Sequence, residues 1–462
     1  MTPTAAHAAT VGPPTALTVT SGNLEMALAW TAPAVGVNPA ISDYTVEYST
    51  DRTVWTQFIH VASVATTITV TGLTNNVEYF FRVAARNTDG MGSMSTAVAG
   101  TPLSNHTQAD LPTYSACPPG IAPDGGFSDI TSTSVDCIKY YEITKGTGDG
   151  TTYSPLDTVS RWQMALFLTR MAGPAGITLG SGTDQGFTDI LNESSEIQLA
   201  INRIKQLGIT IGTGDGTTYS PDDPVTREEM ALFLTRFLKE ATVGPGGNQE
   251  YVTGTSGAQE IKSNDTDHNF TDLTGVTLYE SLTSIANLWN LGVTDSATAR
   301  TYDPQGNMTR KAMAIMMTNA LAHTNARPAG LNMQSDSYRQ GGTPTLTFSV
   351  TNRTSDFAPI DGTAIDTFKY DHSIVSTVVR FDTAGACTSA VFVTSVGSTK
   401  CTLDAADPTT DVNGNLALFY EYMPSILLVD LWAWTGSVGT TYDNDVHAAD
   451  ASKITVEITA GS

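Results

Sequence analysis

The chain has 462 residues, and its 46 acidic side chains outnumber its 23 lysines and arginines, which gives a net charge of −23. That length exceeds what one hydrophobic core organises and predicts three to four domains. Nucleic acid and anionic lipid require clustered basic side chains, so the acidic balance excludes both as expected partners. The excess of carboxylates suits Ca²⁺ binding. The alternative is that the negative charge serves only to keep the protein soluble. The sequence has no run of 18 apolar residues, so no membrane insertion is expected.

The four cysteines fall into two local pairs, Cys117 with Cys137 and Cys387 with Cys401. Because no CxxC spacing occurs, a zinc ribbon or a thioredoxin motif is excluded. Even number and local pairing predict two disulfides and an oxidising compartment, and buried free thiols are the alternative. Residues 1–10 lack the basic and apolar regions of a signal peptide, so we expect a mature sequence or a piece of a longer precursor.

Residues 1–11 are expected to be flexible, and residues 12–102 then show the periodicity of strands. Apolar side chains alternate between turns of Gly, Pro, Asn and Asp, as antiparallel strands with one buried face require. The alternating sets are Tyr44, Val46 and Tyr48; Ile68 and Val70; and Tyr79, Phe81 and Val83. The segment therefore predicts an all-β sandwich.

This segment resembles a fibronectin type III domain. Trp30 stands on an early strand, and Leu73 precedes Tyr79 in the pattern of that family's tyrosine corner. The resemblance covers the whole segment and implies a spacer or an interaction module. Integrin adhesion is not expected, because the chain has no Arg-Gly-Asp sequence.

Residues 103–116 are polar and are predicted to be a linker, after which the sequence repeats itself. The decapeptide Gly-Thr-Gly-Asp-Gly-Thr-Thr-Tyr-Ser-Pro occurs at 146–155 and again at 212–221. Around it lies a frame that opens with Phe-x-Asp and continues through one periodic helix, a turn and a second helix that starts with Ser/Thr-Arg. The opening Asp and the helix Arg are 32, 38 and 38 residues apart in three successive units. Units this short cannot bury their apolar faces alone, so the three are expected to pack together.

The second helix of each unit carries its own start signal. Thr226 with Glu229, and Ser160 with Gln163, predict capping boxes. Thr309, with an alanine three residues later, keeps only half of that motif. The third unit is therefore expected to be the least firmly capped.

Together these motifs resemble the S-layer homology family over about residues 117–325, with repeats at 117–173, 187–240 and 270–323. The resemblance implies an all-α, three-lobed pseudo-trimer that binds cell-wall polysaccharide, through the arginine of its Thr-Arg-Ala-Glu motif. By position these arginines are Arg161, Arg227 and Arg310. A guanidinium beside free N–H groups at a helix N-terminus suits a carboxylate. The alternative is that the arginines pair with acids at a packed interface.

Aspartates of the repeats have two candidate roles. The opening Asp129, Asp189 and Asp272 are expected to cap or bracket the first helix rather than to contact ligand. Asp149 and Asp215 of the duplicated turn are candidate Ca²⁺ ligands, although one aspartate per turn favours a role in the turn itself. The glycine-rich turn has neither a P-loop lysine nor a dinucleotide fingerprint, so phosphate binding is not expected.

Strand periodicity returns in residues 328–462, for example at Leu346, Phe348 and Val350. An Asp-x-Asn-Gly turn at 411–414 precedes the aromatic strand 416–422. The segment is similar to bacterial Ig-like domains of the invasin and intimin kind, which implies a second all-β sandwich.

No catalytic motif is present: the seven histidines form no HExxH pair, and there is no Gly-x-Ser-x-Gly elbow. We therefore expect a non-enzymatic, extracellular protein of a bacterial cell surface that assembles with copies of itself and attaches to wall polysaccharide. Two alternatives stay open. The chain could be a subunit of a self-polymerising filament or sheath, or the anchoring fragment of a wall-attached hydrolase.

Overall fold

The computed structural model describes residues 11–22, 25–33, 40–74, 77–102, 111–247, 270–294, 301–335, 345–371, 377–380, 390–391, 402–403, 405, 407–421, 427–442 and 444–458. The chain divides into two compact units, Met1–Thr107 and Gln108–Ser462. Within the described ranges, no helix has the length and apolar character needed to cross a membrane. The predicted disulfide Cys387–Cys401 lies outside the described residues.

The first unit is built from two antiparallel sheets. Its strands are β1 (Thr15–Gly22), β2 (Glu25–Thr31), β3 (Asp43–Ser49), β4 (Thr56–Phe58), β5 (Thr67–Thr71), β6 (Tyr79–Asn87), β7 (Gly90–Met94) and β8 (Val98–Gly100). One sheet has the order β1-β2-β5 and the other the order β4-β3-β6-β7, with β8 paired to β6. The predicted all-β sandwich is confirmed.

The core of this unit contains the predicted aromatic residues. The Trp30 and Tyr44 rings meet edge to face with centroids 5.0 Å apart, and the Tyr79 hydroxyl accepts the N–H of Thr74 at 3.2 Å. Val11 is buried, and its carbonyl accepts the N–H of Ser93. The expectation that residues 1–11 are flexible is therefore wrong at Val11, because that side chain fills part of the apolar core.

The second unit begins with three helix pairs. They are α1 (Thr133–Tyr140) with α2 (Arg161–Ala172), α3 (Ser195–Gln206) with α4 (Arg227–Glu240), and α5 (Tyr279–Asn290) with α6 (Arg310–Ala322); a 3₁₀ turn, Leu273–Gly275, precedes α5. The second helix of each pair packs on the first helix of the next, so that α2 contacts α3, α4 contacts α5, and α6 contacts α1. One continuous hydrophobic core lies among them. The pairs thus form a closed ring.

Three backbone hydrogen bonds close this ring at its centre. The Val159 N–H donates to Met308 O at 2.9 Å, the Met308 N–H to Val225 O at 2.8 Å, and the Val225 N–H to Val159 O at 2.8 Å. All three residues are buried, and each lies two positions before the arginine that starts α2, α4 or α6. The three equivalent residues are therefore related by a pseudo-threefold axis.

A β region completes the second unit. Its strands are β9 (Gly330–Ser335), β10 (Thr345–Arg353), β11 (Asp366–Asp371), β12 (Thr377–Arg380), β13 (Ala390–Val391), β14 (Asn415–Glu421), β15 (Leu427–Trp434) and β16 (Ala451–Ile458), with a short helix α7 (Asn444–His447) and a 3₁₀ turn, Ala448–Asp450. The sheets have the orders β14-β10-β9 and β13-β12-β11-β15-β16. Asp411 Oδ1 accepts the N–H groups of Asn413 and Asn415, which forms the predicted turn before β14.

The helical and β regions share a buried junction in which two arginines donate hydrogen bonds to backbone carbonyls and to side-chain amide oxygens. Arg353 donates to Gly414 O, Asn325 Oδ1 and Asn415 Oδ1, and Arg327 donates to Ala326 O. Burial lowers the pKa of each guanidinium to about 10. Because these bonds come from both regions, the helices and the C-terminal sheets form one compact unit rather than two separate domains.

The predicted linker 103–116 needs a correction at its end. Residues 103–110 lie outside the described part of the chain, but Ala116 is buried in the helical core. The Thr113 N–H donates to Gly246 O, and Ser115 exchanges two hydrogen bonds with the Gln334 side chain. Residues 113–116 are thus bonded to both regions, because the backbone groups of Thr113 and Ser115 find partners there.

Candidate functional site

The three predicted arginines occupy the first position of α2, α4 and α6. Thr226 Oγ1 accepts the Glu229 N–H at 3.2 Å while Glu229 Oε2 accepts the Thr226 N–H at 3.0 Å, so that capping box is confirmed. At α2, Gln163 Oε1 accepts the Ser160 N–H at 3.2 Å, whereas Ser160 Oγ is a buried atom without a hydrogen bond. At α6 the Ala312 N–H reaches Thr309 Oγ1 at 3.3 Å and the return bond is missing, as predicted.

Free N–H groups beside the arginines were expected, and that expectation is wrong. The Arg161 N–H donates to Asp223 O at 3.0 Å, and the equivalent N–H groups of Arg227 and Arg310 donate to Gly306 O and Asp157 O at 2.9 Å. The following N–H of each helix also donates to a carbonyl of a neighbouring unit. Pseudo-threefold packing brings these loop carbonyls onto the helix ends, so the helix N-termini are satisfied within the protein.

Each arginine side chain also reaches into the next unit around the ring. Arg161 Nε donates to Tyr219 O at 2.7 Å, Arg227 Nε to Tyr302 O at 2.5 Å, and Arg310 Nε to Tyr153 O at 2.6 Å. Every guanidinium lies over the ring of the same tyrosine, with 4.6 to 4.9 Å between the guanidinium carbon and the ring centroid. This geometry allows a cation–π contact in addition to the hydrogen bond.

These contacts define three equivalent junctions, which we call A, B and C. Junction A contains Arg161, Tyr219 and Glu229; junction B contains Arg227, Tyr302 and Ala312; junction C contains Arg310, Tyr153 and Gln163. The third residue of each set is the third residue of α4, α6 or α2.

The junctions differ in charge. In junction A, Arg161 Nη1 donates to Glu229 Oε1 at 2.6 Å, and the arginine is only 4% exposed. Alanine and glutamine replace that glutamate in junctions B and C, so neither guanidinium forms an ion pair with the described residues. The alternative role in which an arginine pairs with an acid at a packed interface therefore describes Arg161.

Junctions B and C differ in exposure. Arg227 is half-buried, and within the described part of the chain its Nη atoms form no hydrogen bond. Arg310 is 3% exposed, its Nη2 is a buried atom with no partner, and burial lowers its pKa. A cation is thus reachable from solvent in junction B, while junction C holds a cation that a ligand reaches only if the surrounding side chains move.

In each junction the tyrosine also forms a hydrogen bond back to the arginine. The hydroxyls of Tyr153, Tyr219 and Tyr302 donate to the carbonyls of the arginines that stack on them, at 2.8, 2.8 and 2.9 Å. Burial is the main reason that the pKa of each tyrosine lies well above its ordinary value. The opening phenylalanine of each repeated frame packs on the same ring, with centroids 5.4 to 5.6 Å apart. Sequence reasoning did not identify these tyrosines, although the duplicated decapeptide contains two of them.

The opening aspartates do not cap the first helices as expected. Asp129 accepts the N–H groups of Tyr153 and Ser154 at 2.8 and 2.7 Å, and Asp189 and Asp272 hold the equivalent amides of their own units. The residue after each tyrosine has a positive φ, between 54° and 56°, which lets two successive N–H groups point at one carboxylate. Their role is structural, since they position the tyrosine of the junction.

The candidate Ca²⁺ ligands lie in the duplicated turns. Asp149 Oδ1 accepts the N–H and the hydroxyl of Thr151 at 3.0 and 2.6 Å, and Asp215 does the same with Thr217. Those bonds lower the pKa of both carboxyls. Over the described ranges, no group of three or more His, Cys, Asp or Glu side chains is arranged to hold a metal ion. A calcium site at these aspartates stays a prediction.

One of the two predicted disulfides is present. Cys117 and Cys137 are joined, with their Cα atoms 5.9 Å apart, and the bond links the start of the helical region to α1. Tyr141 lies beside this link and donates its hydroxyl to Ala116 O at 2.7 Å. An oxidising compartment is consistent with such a bond.

Comparisons with known proteins assign two parts of the chain. Residues 12–101 match the family model of the fibronectin type III domain, and residues 186–231 match that of the S-layer homology domain. An endoglucanase from Bacillus sp. (strain KSM-635) is 32% identical over 139 residues, which are 28% of this chain and 14% of the endoglucanase. The chain therefore spans a small part of that relative.

Similar solved structures include one described as a myokine structure, with 17% identity, 20% of this chain and 98% of the other covered, and a TM-score of 0.18. A crystal structure of titin domains has 27% identity, covers 20% of this chain and 32% of the other, and has a TM-score of 0.19. A fibronectin type III domain from the human KIAA0970 protein has 18% identity, covers 23% and 90%, and has a TM-score of 0.20. The chain thus contains a fibronectin type III domain and an S-layer homology domain, and the latter indicates association with the cell surface.

Proposed function

We propose that this chain is a non-enzymatic structural protein of a bacterial cell surface, attached to cell-wall polysaccharide by three S-layer homology repeats within residues 117–325. The family model matches residues 186–231, which hold α3 and the start of α4. The first and third helix pairs share the sequence frame, the ring of hydrogen bonds and the arginine–tyrosine contacts of the second pair. In this proposal residues 328–462 form the Ig-like sandwich, which the two sheets and the Asp411 turn support.

Junction B is the observation that carries the proposal. Arg227 presents a half-buried guanidinium whose Nη atoms are unused within the described residues, next to Ala312 rather than a carboxylate. An acidic sugar supplies the anion that this guanidinium lacks, and hydrogen bonds between charged groups are the strong ones. Junction A already holds a carboxylate of its own, so we assign it to stabilising the ring rather than to binding glycan.

Purified cell-wall sacculi, with and without their polysaccharide, provide the test. We expect the full chain to sediment with intact sacculi and to stay in solution after the polysaccharide is removed. Arg227→Gln removes the cation, and Ala312→Glu installs the carboxylate found in junction A, so each should weaken retention about tenfold, as loss of one charged hydrogen bond predicts. Arg170→Gln, at an arginine paired with Glu196 outside the junctions, is the matched control.

Retention that is unchanged in both junction B variants overturns the assignment of that junction. Retention that also survives removal of the polysaccharide overturns wall-glycan binding altogether. Circular dichroism of each variant checks that the helices remain folded.

The second candidate function is the anchoring part of a wall-attached hydrolase, and the similarity to an endoglucanase favours it. Under this hypothesis the chain binds the wall in the same way, while catalysis belongs to sequence outside it. Release of reducing sugar from β-glucan by the purified chain would contradict the non-enzymatic assignment that both candidates share.

A further inference from the structure

A surface cavity lies at the end of α1 in the first repeat. Its volume is about 490 Å³, which is within the range of small-molecule binding sites. The residues that line it come from the segment before α1, from the last turn of that helix and from the turn that follows: Pro123, Asp124, Gly125, Lys139, Tyr140, Glu142, Thr144 and Lys145. None of them belongs to junction A, B or C, so the proposed function gives this cavity no role.

Glu142 of this cavity has a backbone conformation that the other two repeats reserve for glycine. Its φ is 58°, and the equivalent Gly208 and Gly292 have φ angles of 71° and 70°. In all three repeats the N–H of this residue donates to the carbonyl three positions earlier, at 2.9 to 3.0 Å. A side chain makes the left-handed conformation unfavourable, which is why glycine is usual after a helix. The first repeat thus keeps a carboxylate at an energetic cost, and such a cost is typical of a functional position.

Four charged side chains line the cavity, two of them acidic and two basic. Asp124 and Glu142 supply the carboxylates, and Lys139 and Lys145 supply the ammonium groups. Within the described residues, the side chains of Glu142 and Lys145 form neither a hydrogen bond nor an ion pair. Each of the other two has one contact, with a neighbouring amide or with an aromatic ring. The wall therefore offers donors and acceptors of hydrogen bonds in equal number and has no net charge.

An aromatic ring adds an apolar part to the wall. Tyr140 is half-buried, and its hydroxyl accepts the Ala329 N–H at 3.1 Å. The Phe357 ring packs against the Tyr140 ring with their centroids 5.1 Å apart. Both partners come from the C-terminal part of the chain, so the packing of the two regions fixes the position of this ring. Small-molecule sites commonly combine a fixed aromatic ring with a few polar groups.

We propose that this cavity binds an uncharged saccharide. A hydroxyl both donates and accepts hydrogen bonds, so a sugar accepts from the two ammonium groups while it donates to the two carboxylates. Its C–H groups can pack on the ring of Tyr140. An anionic ligand would be repelled by the carboxylates and a cationic ligand by the ammonium groups, whereas an uncharged ligand meets neither repulsion. This inference does not depend on junction B, which is assigned to an acidic sugar.

Isothermal titration calorimetry of the full chain with uncharged tetrasaccharides tests the proposal. The probes are the tetramers of glucose, galactose, mannose and N-acetylglucosamine, together with uncharged fragments of the wall polysaccharide, so that the probe that binds identifies the source of the sugar. We expect at least one of them to bind with a Kd below about 1 mM. Tetragalacturonate, which carries a carboxylate on every unit, should bind about tenfold more weakly than the best uncharged probe.

Two variants test the site, because they install the residues that the second repeat has at the same positions. Glu142→Gly copies Gly208, and Lys145→Ile copies Ile211. Each should raise the Kd about tenfold, as loss of one charged hydrogen bond predicts. Glu142→Gly should not lower the urea midpoint of unfolding, since glycine suits a positive φ. Lys311→Ala, at an exposed lysine of α6 that does not line the cavity, is the control and should bind like the wild type.

Three results would overturn the proposal. One is that no uncharged saccharide of the panel binds the wild-type chain. Another is an unchanged affinity in both cavity variants, or a loss of affinity that the control shares, since either result places the binding site elsewhere. The third is tighter binding of tetragalacturonate than of every uncharged probe, which contradicts an uncharged ligand.

Discussion

Glu229 of the second repeated unit pairs with Arg161 of the first, with 2.6 Å between Oε1 and Nη1. The same carboxylate accepts the Thr226 N–H through its other oxygen and so completes the cap of α4. One side chain thus starts its own helix and neutralises a nearly buried cation of the neighbouring unit. Neither of the other junctions has this combination, which makes the three units unequal in charge although their backbones are equivalent.

Glu229→Gln should destabilise the helical region by about 1–3 kcal/mol, because it removes the charged partner of a guanidinium that stays buried. The glutamine oxygen can still cap α4, so the loss reports mainly on the ion pair. The measurement is the free energy of unfolding from urea denaturation followed by circular dichroism. Glu240→Gln, at the exposed end of the same helix, is the control and should change stability by less than about 0.5 kcal/mol.

The free energy of unfolding of the helical region should fall steeply at alkaline pH. The pKa values of Tyr153, Tyr219 and Tyr302 are raised above the ordinary value of 10.0 mainly by burial. The unfolded chain therefore loses these protons first as the pH rises, and the stability that the neutral tyrosines contribute is complete below pH 10.0 and declines above it. Unfolding free energies measured between pH 8 and pH 11 should fall with a slope that Tyr219→Phe makes shallower. An unchanged slope in that variant would contradict the assignment.

Asp129→Asn should loosen the tyrosine loop of the first unit. The carboxylate accepts two successive N–H groups, whereas an amide side chain offers a single acceptor oxygen. Amide hydrogen exchange at Tyr153 and Ser154 should accelerate in the variant. The bond from Tyr153 is the main reason that the Asp129 pKa is lowered, so in the wild type the same acceleration should appear as the pH falls below 3.8 and through that lowered pKa. Asp157→Asn, at a side chain without these bonds, should leave both amides protected.

Reduction of the Cys117–Cys137 bond should cost roughly 3 kcal/mol, the loop-entropy value for a link across some twenty residues. Thermal unfolding with and without reductant measures the difference. The double variant Cys117→Ser with Cys137→Ser should match the reduced protein and should no longer respond to reductant. A melting temperature that is the same in all three samples would contradict a stabilising role.

Local sequence patterns predicted the parts of this protein that form locally. Alternation gave the strands around Tyr44 and Tyr79, and the spacing of Thr226 and Glu229 gave a helix cap, because each depends on residues close together in the chain. The contacts of Arg161 could not be predicted from local patterns. Tyr219 and Glu229 are 58 and 68 positions away in the sequence and contact Arg161 only because the helix pairs pack in a ring.

One wrong expectation and one omission have the same cause. Asp129 was expected to cap a helix next to it, but its partners lie 24 and 25 residues later in a loop with a left-handed residue. Arg353 and Arg327 lie in the C-terminal part of the chain, and nothing in their sequence neighbourhood indicates burial. Their partners become visible only when the helical and β regions are seen to share a junction.

The central cycle of Val159, Val225 and Met308 bears on how this protein can be lost from a surface. Each N–H in the cycle donates to a carbonyl of a different repeat. Deleting any one repeat would therefore leave one buried N–H and one buried carbonyl of the other two repeats without a hydrogen-bond partner. A protease that removes the last helix pair should therefore not leave a weaker anchor with two working lobes. Under the proposed attachment to the wall, it should release the whole molecule, because the three helix pairs share one core.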